Sequence, residues 1–207
     1  MGAIEAILSR RSIRKYKKKA VPEELMTELL NAAMHAPSAC NEQPWHFIII
    51  NDRKVLNDVP KYHSHSYMIR EAPVAIVACV DLNLATEDKV WWVQDCSAAA
   101  ENILIAARAK GLGAVWLGVY PKDDRVKGIQ GLLALPQDVI PLCIIPIGYP
   151  DEERPQESRY QSFRVHYNCW EKTSMRVNIF VMIEFIIPKY KYENSKMTLE
   201  GYCYQKT

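Results

Sequence analysis

Four short apolar runs constrain this chain more than any other feature: Phe47 to Ile50, Val74 to Val80, Ala114 to Tyr120 and Ile140 to Ile147. Their β-branched content favours strand over helix and marks them as buried strands. Pro141 and Pro146 predict that the fourth lies at a sheet edge or is cut short, because proline has no N–H for a ladder. Between the second and third runs lies a long helix, roughly Val90 to Lys110, whose segment CSAAAENILIAARA is apolar on most faces. Such a helix belongs in a core or a subunit interface. Gly111 supplies its C-terminal stop.

The remaining elements are shorter. Ile4 to Ser9 reads as an amphipathic helix with Ile4, Ile7 and Leu8 on one face. A basic run follows, from Arg10 to Lys19. Pro22 opens a second helix, Glu23 and Glu24 suit its positive end, and Pro37 ends it. Its buried face is Leu25, Met26, Leu29, Leu30, Ala33 and Met34. Asp123 to Leu133 reads as a further helix, weakened by Gly128 and Gly131. Asp151 to Arg164 is polar and reads as an extended segment or loop. The compact unit, residues 1–170, is expected to end near Trp170, leaving 171–207 as a C-terminal extension.

With 207 residues, 49% hydrophobic and 24% charged, the chain has ordinary globular composition. That excludes wholesale disorder, a collagen-like chain and a coiled-coil rod, and allows one domain or two small ones. Basic and acidic residues number 26 and 24, a net charge of +2, which provides no global field for nucleic acid or membrane. The six cysteines, Cys40, Cys79, Cys96, Cys143, Cys169 and Cys203, contain no CxxC pair. Several lie in apolar runs, where a thiol acts as a small hydrophobe, so a reducing cytoplasm is expected. The N-terminus lacks the pattern of a secretory signal. The longest apolar candidate, Val177 to Ile187, contains Asn178 and Glu184 and is too short to span a membrane.

Three segments offer chemistry. In RRSIRKY, Arg10 to Tyr16, the spacing of Arg10, Arg14 and Lys17 is roughly helical, with Ser12 between. Guanidinium forks and a hydroxyl suit a phosphate, while most charge runs are a solvated basic face, the reading this segment favours when taken alone. In PSACNEQPW, Pro37 to Trp45, Ser38, Asn41 and Gln43 suit the edges of a planar heterocycle, or cap the neighbouring backbone. In GLGAVWLGVYP, Gly113 and Gly118 permit close backbone approach to a ligand, or simply form tight turns. Neither a GxGxxG fingerprint nor a P-loop occurs.

Taken together with VHYNCW near residue 170, these segments, in this order, resemble the FMN-dependent nitroreductase family over roughly residues 3–170. The resemblance implies an α+β fold: a three-layer sandwich with a central, mostly antiparallel sheet flanked by helices, in an interlocked homodimer with FMN sites at the subunit interface. It places Arg10, Arg11, Ser12 and Arg14 at the FMN phosphate and ribityl chain, with Arg164 reaching the phosphate late in the chain. Pro37, Ser38, Ala39 and Asn41 would approach the flavin from the other subunit. Trp116, Leu117, Gly118 and Val119 would line the isoalloxazine ring, with a backbone N–H near Gly118 or Val119 facing N5. The implied mechanism is ping-pong hydride transfer from NADH or NADPH through flavin N5 to a small-molecule electron acceptor such as a nitroaromatic or quinone. The flavin carries the chemistry and no catalytic side chain is required. The long helix would pack in the dimer core.

Other readings stand beside this one. His63 and His65 in YHSHSY lack the partners of a metal site and read as a loop. Cys40 reads as space-filling rather than nucleophilic, and Trp91 and Trp92 as packing residues. The extension is either an arm anchored by Val177 to Ile187 or an appendage. Competing functions are another reaction on the same fold (reductive dehalogenation or flavin breakdown), a non-catalytic FMN-binding protein, and a nucleic-acid module built on Arg10 to Lys19, which the near-neutral charge opposes.

Overall fold

The computed structural model describes residues 1–85 and 89–170. Its elements are α1 (Ala3–Ser9), α2 (Glu23–Met34), β1 (Trp45–Ile50), α3 (Arg53–Asp58), β2 (Val74–Asp81), α4 (Trp92–Ala109), β3 (Gly113–Ala114), β4 (Leu117–Gly118), α5 (Asp123–Leu133) and β5 (Val139–Gly148). All lie in one compact unit, Met1–Glu157, and a second unit begins at Ser158. In the second, Ser162–Arg164 makes a 3-10 turn, and the His166 ring stacks on Trp170 with centroids 4.5 Å apart. The extension from 171 to 207, with both readings of it, lies outside the described residues.

The layering follows from β2. Val74, Ile76, Ala78 and Val80 pack with Met26 and Leu29 of α2 and Cys96, Ala100 and Ile103 of α4. Ala75, Val77 and Cys79 alternate to the other face, among Leu56 of α3 and Val126 and Ile129 of α5. A strand apolar on both faces needs helices on both, so one antiparallel sheet, in the order β1-β2-β5-β3 with β4 also on β5, lies between two helical layers. The expected three-layer α+β sandwich is the fold observed. Cys79, Cys96 and Cys143 are fully buried free thiols. Burial pushes Cys79 and Cys96 up to about 12, which leaves them as space-filling groups.

Two expectations about the strands are corrected. β5 is an inner strand, paired with β2 on one side and with β3 and β4 on the other. Its prolines sit where no ladder bond is needed. Pro141 adjoins a register shift opposite Ala78 and Cys79, a position where proline is tolerated. The second correction explains Pro146. Ala114 to Tyr120 is not one strand but two short pieces, although its register against β5 is continuous from Gly113–Gly148 to Gly118–Cys143. Val119 and Tyr120 N–H groups both donate to the Leu142 carbonyl, at 2.9 and 3.1 Å, so that carbonyl faces β4. Backbone polar groups alternate sides along a strand, and the missing N–H of Pro146 therefore faces the same way. It falls opposite Val115, between β3 and β4, and the ladder lapses there.

The helices keep their expected extents with local differences. In α1, Ala6 is the buried residue, and Ile4, Ile7 and Leu8 face solvent in the protomer. In α2, Met26, Leu29 and Ala33 are buried, while Met34 is exposed. Trp92 packs edge-on against Tyr120 at 4.7 Å, whereas Trp91 is half-exposed. The glycines of α5 differ from each other. A Cβ on Gly128 would lie 2.5 Å from the Tyr62 ring, while one on Gly131 would meet open space. Gly128→Ala is expected to destabilise the fold by about 1–3 kcal/mol. Gly131→Ala is expected to stabilise it by up to about 1 kcal/mol. Urea denaturation of the two variants measures the contrast.

Candidate functional site

The segment from Arg10 to Tyr16 is extended rather than helical. Arg10 has φ −59° and ψ 132°, Ser12 bridges to Ala114, and Tyr16 bridges to Pro150. The outer edge of β3 offers backbone acceptors, and Ile13 N–H takes the Ala114 carbonyl at 3.0 Å. Of this segment, Arg10, Arg11 and Ile13 line the neighbouring cleft, and Ser12 and Arg14 are not among its lining residues. Ile13 is wedged against Gly113, where a Cβ would come within 2.7 Å of it.

Beside this segment lies a cleft of about 340 Å³, lined among others by Ser9, Arg10, Arg11, Arg108, Glu152 and Arg154. Arg10 Nε pairs with the Glu101 carboxylate of α4 at 3.3 Å. Arg11 donates from Nε to the Pro155 carbonyl at 2.9 Å and from Nη1 to the Leu8 and Arg10 carbonyls. Its Nη2 is buried and has no hydrogen-bond partner among the described residues. Arg108 Nε donates to Ser9 Oγ at 3.0 Å. Glu152 is committed elsewhere: it accepts the Arg14 N–H and pairs with Arg154 at 2.9 Å. These partners, the Arg14 N–H foremost, hold its carboxyl below the usual range. Guanidinium groups converging on a cleft, one with an orphaned buried N–H, suit an anion with several oxygens. Arg108 and Arg154 were not legible as members of this set; a basic residue in the otherwise apolar end of α4 was the available signal. Arg164 belongs to the second unit, where its guanidinium lies 5.6 Å from the Phe163 ring centroid.

The Pro37 to Asn41 segment stands at a separate depression of about 310 Å³, lined by Pro37, Ser38, Ala39, Trp91, Gln94, Asp95 and Ala98. Its backbone is unusual. Cys40, Asn41 and Gln43 have φ of 49°, 58° and 50°, a left-handed conformation that costs a non-glycine residue about 1–2 kcal/mol. Ser38 Oγ accepts the Gln43 N–H, Asn41 Oδ1 accepts from Gln43 Nε2, and Asp95 Oδ1 accepts the Ala39 N–H, each at 3.0 Å.

Trp116 to Val119 presents mainly backbone. Leu117 and Val119 side chains are buried in the α3–α5 layer, and Trp116 packs against the opposite one. Since Val119 bonds Leu142, the Gly118–Cys143 pair is the non-bonded kind, and both polar groups of Gly118 point away from β5. The Gly118 carbonyl accepts from Arg125 Nη1 at 2.9 Å and lies 2.9 Å from His63 Nε2. His63 sits in a connection between elements, yet it is only 3% exposed. Burial, then the Arg125 charge, lowers its pKa. Neither His63 nor Arg125 was expected at this position.

The sequence profile of the nitroreductase family matches residues 7–64 and 56–149. This chain belongs to the nitroreductase family. A Methanothermobacter thermautotrophicus protein, named as a candidate NADH dehydrogenase/NAD(P)H nitroreductase, is 49% identical over 172 residues, 82% of this chain and 88% of that one. The structure of an FMN-dependent nitroreductase from Clostridium difficile matches with a TM-score of 0.75 at 32% identity, over 80% of this chain and 99% of the other. A candidate nitroreductase of Desulfovibrio desulfuricans, solved in complex with FMN, matches with a TM-score of 0.68 at 32% identity, over 77% and 92%. The nitroreductase match contains the Arg10–Arg14 segment, the Pro37–Asn41 loop and Trp116–Val119; Arg164 lies beyond its last residue.

The buried His63 makes the fold pH-sensitive. Its folded pKa is the lower one, so on acidification the unfolded chain takes up the proton first. Stability is expected to fall as pH drops below about 6.5. His63→Gln, which does not titrate, is expected to flatten this part of the profile, read as thermal-unfolding midpoints from about pH 5 to 8.

Proposed function

We propose that the protein is a homodimeric, FMN-dependent oxidoreductase that draws electrons from NADH or NADPH and reduces nitroaromatics, quinones or similar small acceptors. The observation that carries this reading is the cleft lined by Arg10, Arg11, Arg108 and Arg154, in which Arg11 Nη2 has no hydrogen-bond partner among the described residues. A phosphate monoester supplies the oxygens that such donors lack. Arg10, Arg11, Ser12 and Arg14 would hold the FMN phosphate and ribityl chain, with Arg108 and Arg154 adding charge. Bound FMN supplies the two-electron redox chemistry between nicotinamide and acceptor.

The chain's own part is placement. Val119 N–H is already committed to Leu142, so Gly118 N–H, turned away from β5, is the group proposed to face flavin N5. Trp116, Leu117 and Val119 would flank the ring with it. Pro37, Ser38, Ala39 and Asn41 would come from a second copy. Two observations favour that arrangement: cleft and loop line separate cavities in the protomer, and Ile4, Ile7, Leu8, Met34, Val90 and Trp91 are exposed. Apolar side chains in such number are typical of an interaction face.

A visible spectrum tests the reading. The purified protein is expected to carry a flavin band that bleaches anaerobically with NADH or NADPH and returns on adding a nitroaromatic or quinone. Retention of no flavin after reconstitution with FMN would overturn it. Arg10→Ala is expected to raise the FMN dissociation constant about tenfold or more, the loss of one charge-assisted hydrogen bond. Its unfolding midpoint should stay close to wild type, because the Arg10–Glu101 pair is partly exposed.

A further inference from the structure

We infer that Asp95 is a positioning residue, whose carboxylate holds the Ser38–Gln43 loop in the conformation that meets FMN. This rests on the FMN reading above. Asp95 lies in the first turn of α4 and is 6% exposed. Its Oδ1 accepts the Ala39 N–H at 3.0 Å. Ala39 immediately precedes Cys40 and Asn41, both left-handed. A pair of non-glycine residues stays in that region only where its surroundings over-determine it. The backbone bonds Asn41 N–H to Ser38 and Glu42 N–H to Ala39 close the turn on itself. Asp95 does something different: it fixes the turn to a helix of the core.

The tether uses one carboxylate oxygen of the two. Asp95 Oδ2 is buried and has no hydrogen-bond partner among the described residues, and the residue forms part of the depression lined by Pro37, Ser38, Ala39, Trp91, Gln94 and Ala98. A buried carboxylate oxygen without a donor is costly. An asparagine there would keep an oxygen acceptor for the Ala39 N–H while placing an NH2 group where Oδ2 lies. Asp95 acts through Ala39 and does not itself touch the flavin.

The test compares wild type, Asp95→Ala and Asp95→Asn by two readouts. In flavin-free protein, amide exchange of residues 38–43 should accelerate about tenfold or more in Asp95→Ala. In Asp95→Asn, whose side-chain oxygen replaces Oδ1, it should stay within about threefold of wild type. The FMN dissociation constant, from quenching of flavin fluorescence, should follow the same pattern: up about tenfold or more in Asp95→Ala, within about threefold in Asp95→Asn. If Asp95→Ala does not fold, Asp95→Ser, too short to reach Ala39, carries the same expectation. Wild-type FMN affinity in Asp95→Ala, or equal losses in both variants, overturns the inference. Failure of the wild type to bind FMN instead overturns the functional reading on which it rests.

Discussion

The ladder between β2 and β5, running from Val74–Ile147 to Asp81–Val139, is the interaction on which the rest of the protomer depends. Both strands are apolar on both faces, so neither can border water. That requires α2 and α4 on one side and α3 and α5 on the other, and it pushes every polar functional segment to the margins of the sheet. Two of those segments, Arg10–Arg14 and Trp116–Val119, lie on the β3–β4 side of β5, while the Pro37–Asn41 loop leads into β1 at the other end of the sheet. On the β3–β4 side Pro146 cannot donate, the flanking strand breaks around Val115, and Tyr16 closes the gap by donating its hydroxyl to the Ile13 carbonyl at 2.7 Å and the Pro146 carbonyl at 3.3 Å. Burial in that position raises the Tyr16 pKa. A proline in an inner strand thus docks the segment that carries Arg10, Ser12 and Arg14.

Charge is distributed by the same logic. Most surface ion pairs in the chain are simple, such as Lys110 with Glu28 and Lys61 with Asp58, and contribute little to stability. In the arginine cleft Arg10 and Arg154 pair with Glu101 and Glu152, whereas Arg11 and Arg108 are tied to backbone carbonyls and to Ser9 Oγ, which fixes their geometry without neutralising them. Arg11 is the clearest case, with Nε and Nη1 bonded to backbone and Nη2 left over. Such preorganisation places a donor without the ordering cost a free side chain would incur on binding. It also weighs against a nucleic-acid role for the basic run, since two of its arginines face a small cleft rather than an open surface.

Much of this was legible in the sequence, and the parts that were not share a cause. β-branched runs report strands because their side chains crowd a helix and fit a pleated sheet, and Gly111 reports a helix end because its φ of 75° suits glycine. The inner position of β5 was not legible, because proline excludes a strand from a sheet interior only when the lost N–H faces a neighbour that needs it. Which way Pro146 faces depends on strand order. The spacing of Arg10, Arg14 and Lys17 looked helical for a similar reason: an isolated basic run has no means of showing that β3 will bond its backbone in extended form. The contacts of His63 and Asp95 gave no periodic or motif signal, because each acts on one backbone group 55 or more residues away in the chain, and Arg125 reaches back to Gly118 only through the turn that precedes α5.

The sequence by itself determined the extents of the main helices and inner strands and the three segments that make up the nitroreductase resemblance, since these follow from local propensity, apolar pattern and short motifs; the layered α+β class was implied by that resemblance. Tertiary structure alone decided the strand order that admits two prolines to an inner strand, the gathering of Arg108 and Arg154 beside Arg10 and Arg11, and the tethering of Gly118 and Ala39 by His63, Arg125 and Asp95. The physical reason is that hydrogen bonding and burial are satisfied between groups near in space, and a buried N–H, carbonyl or guanidinium finds its partner only once the sheet and helices have brought distant residues together.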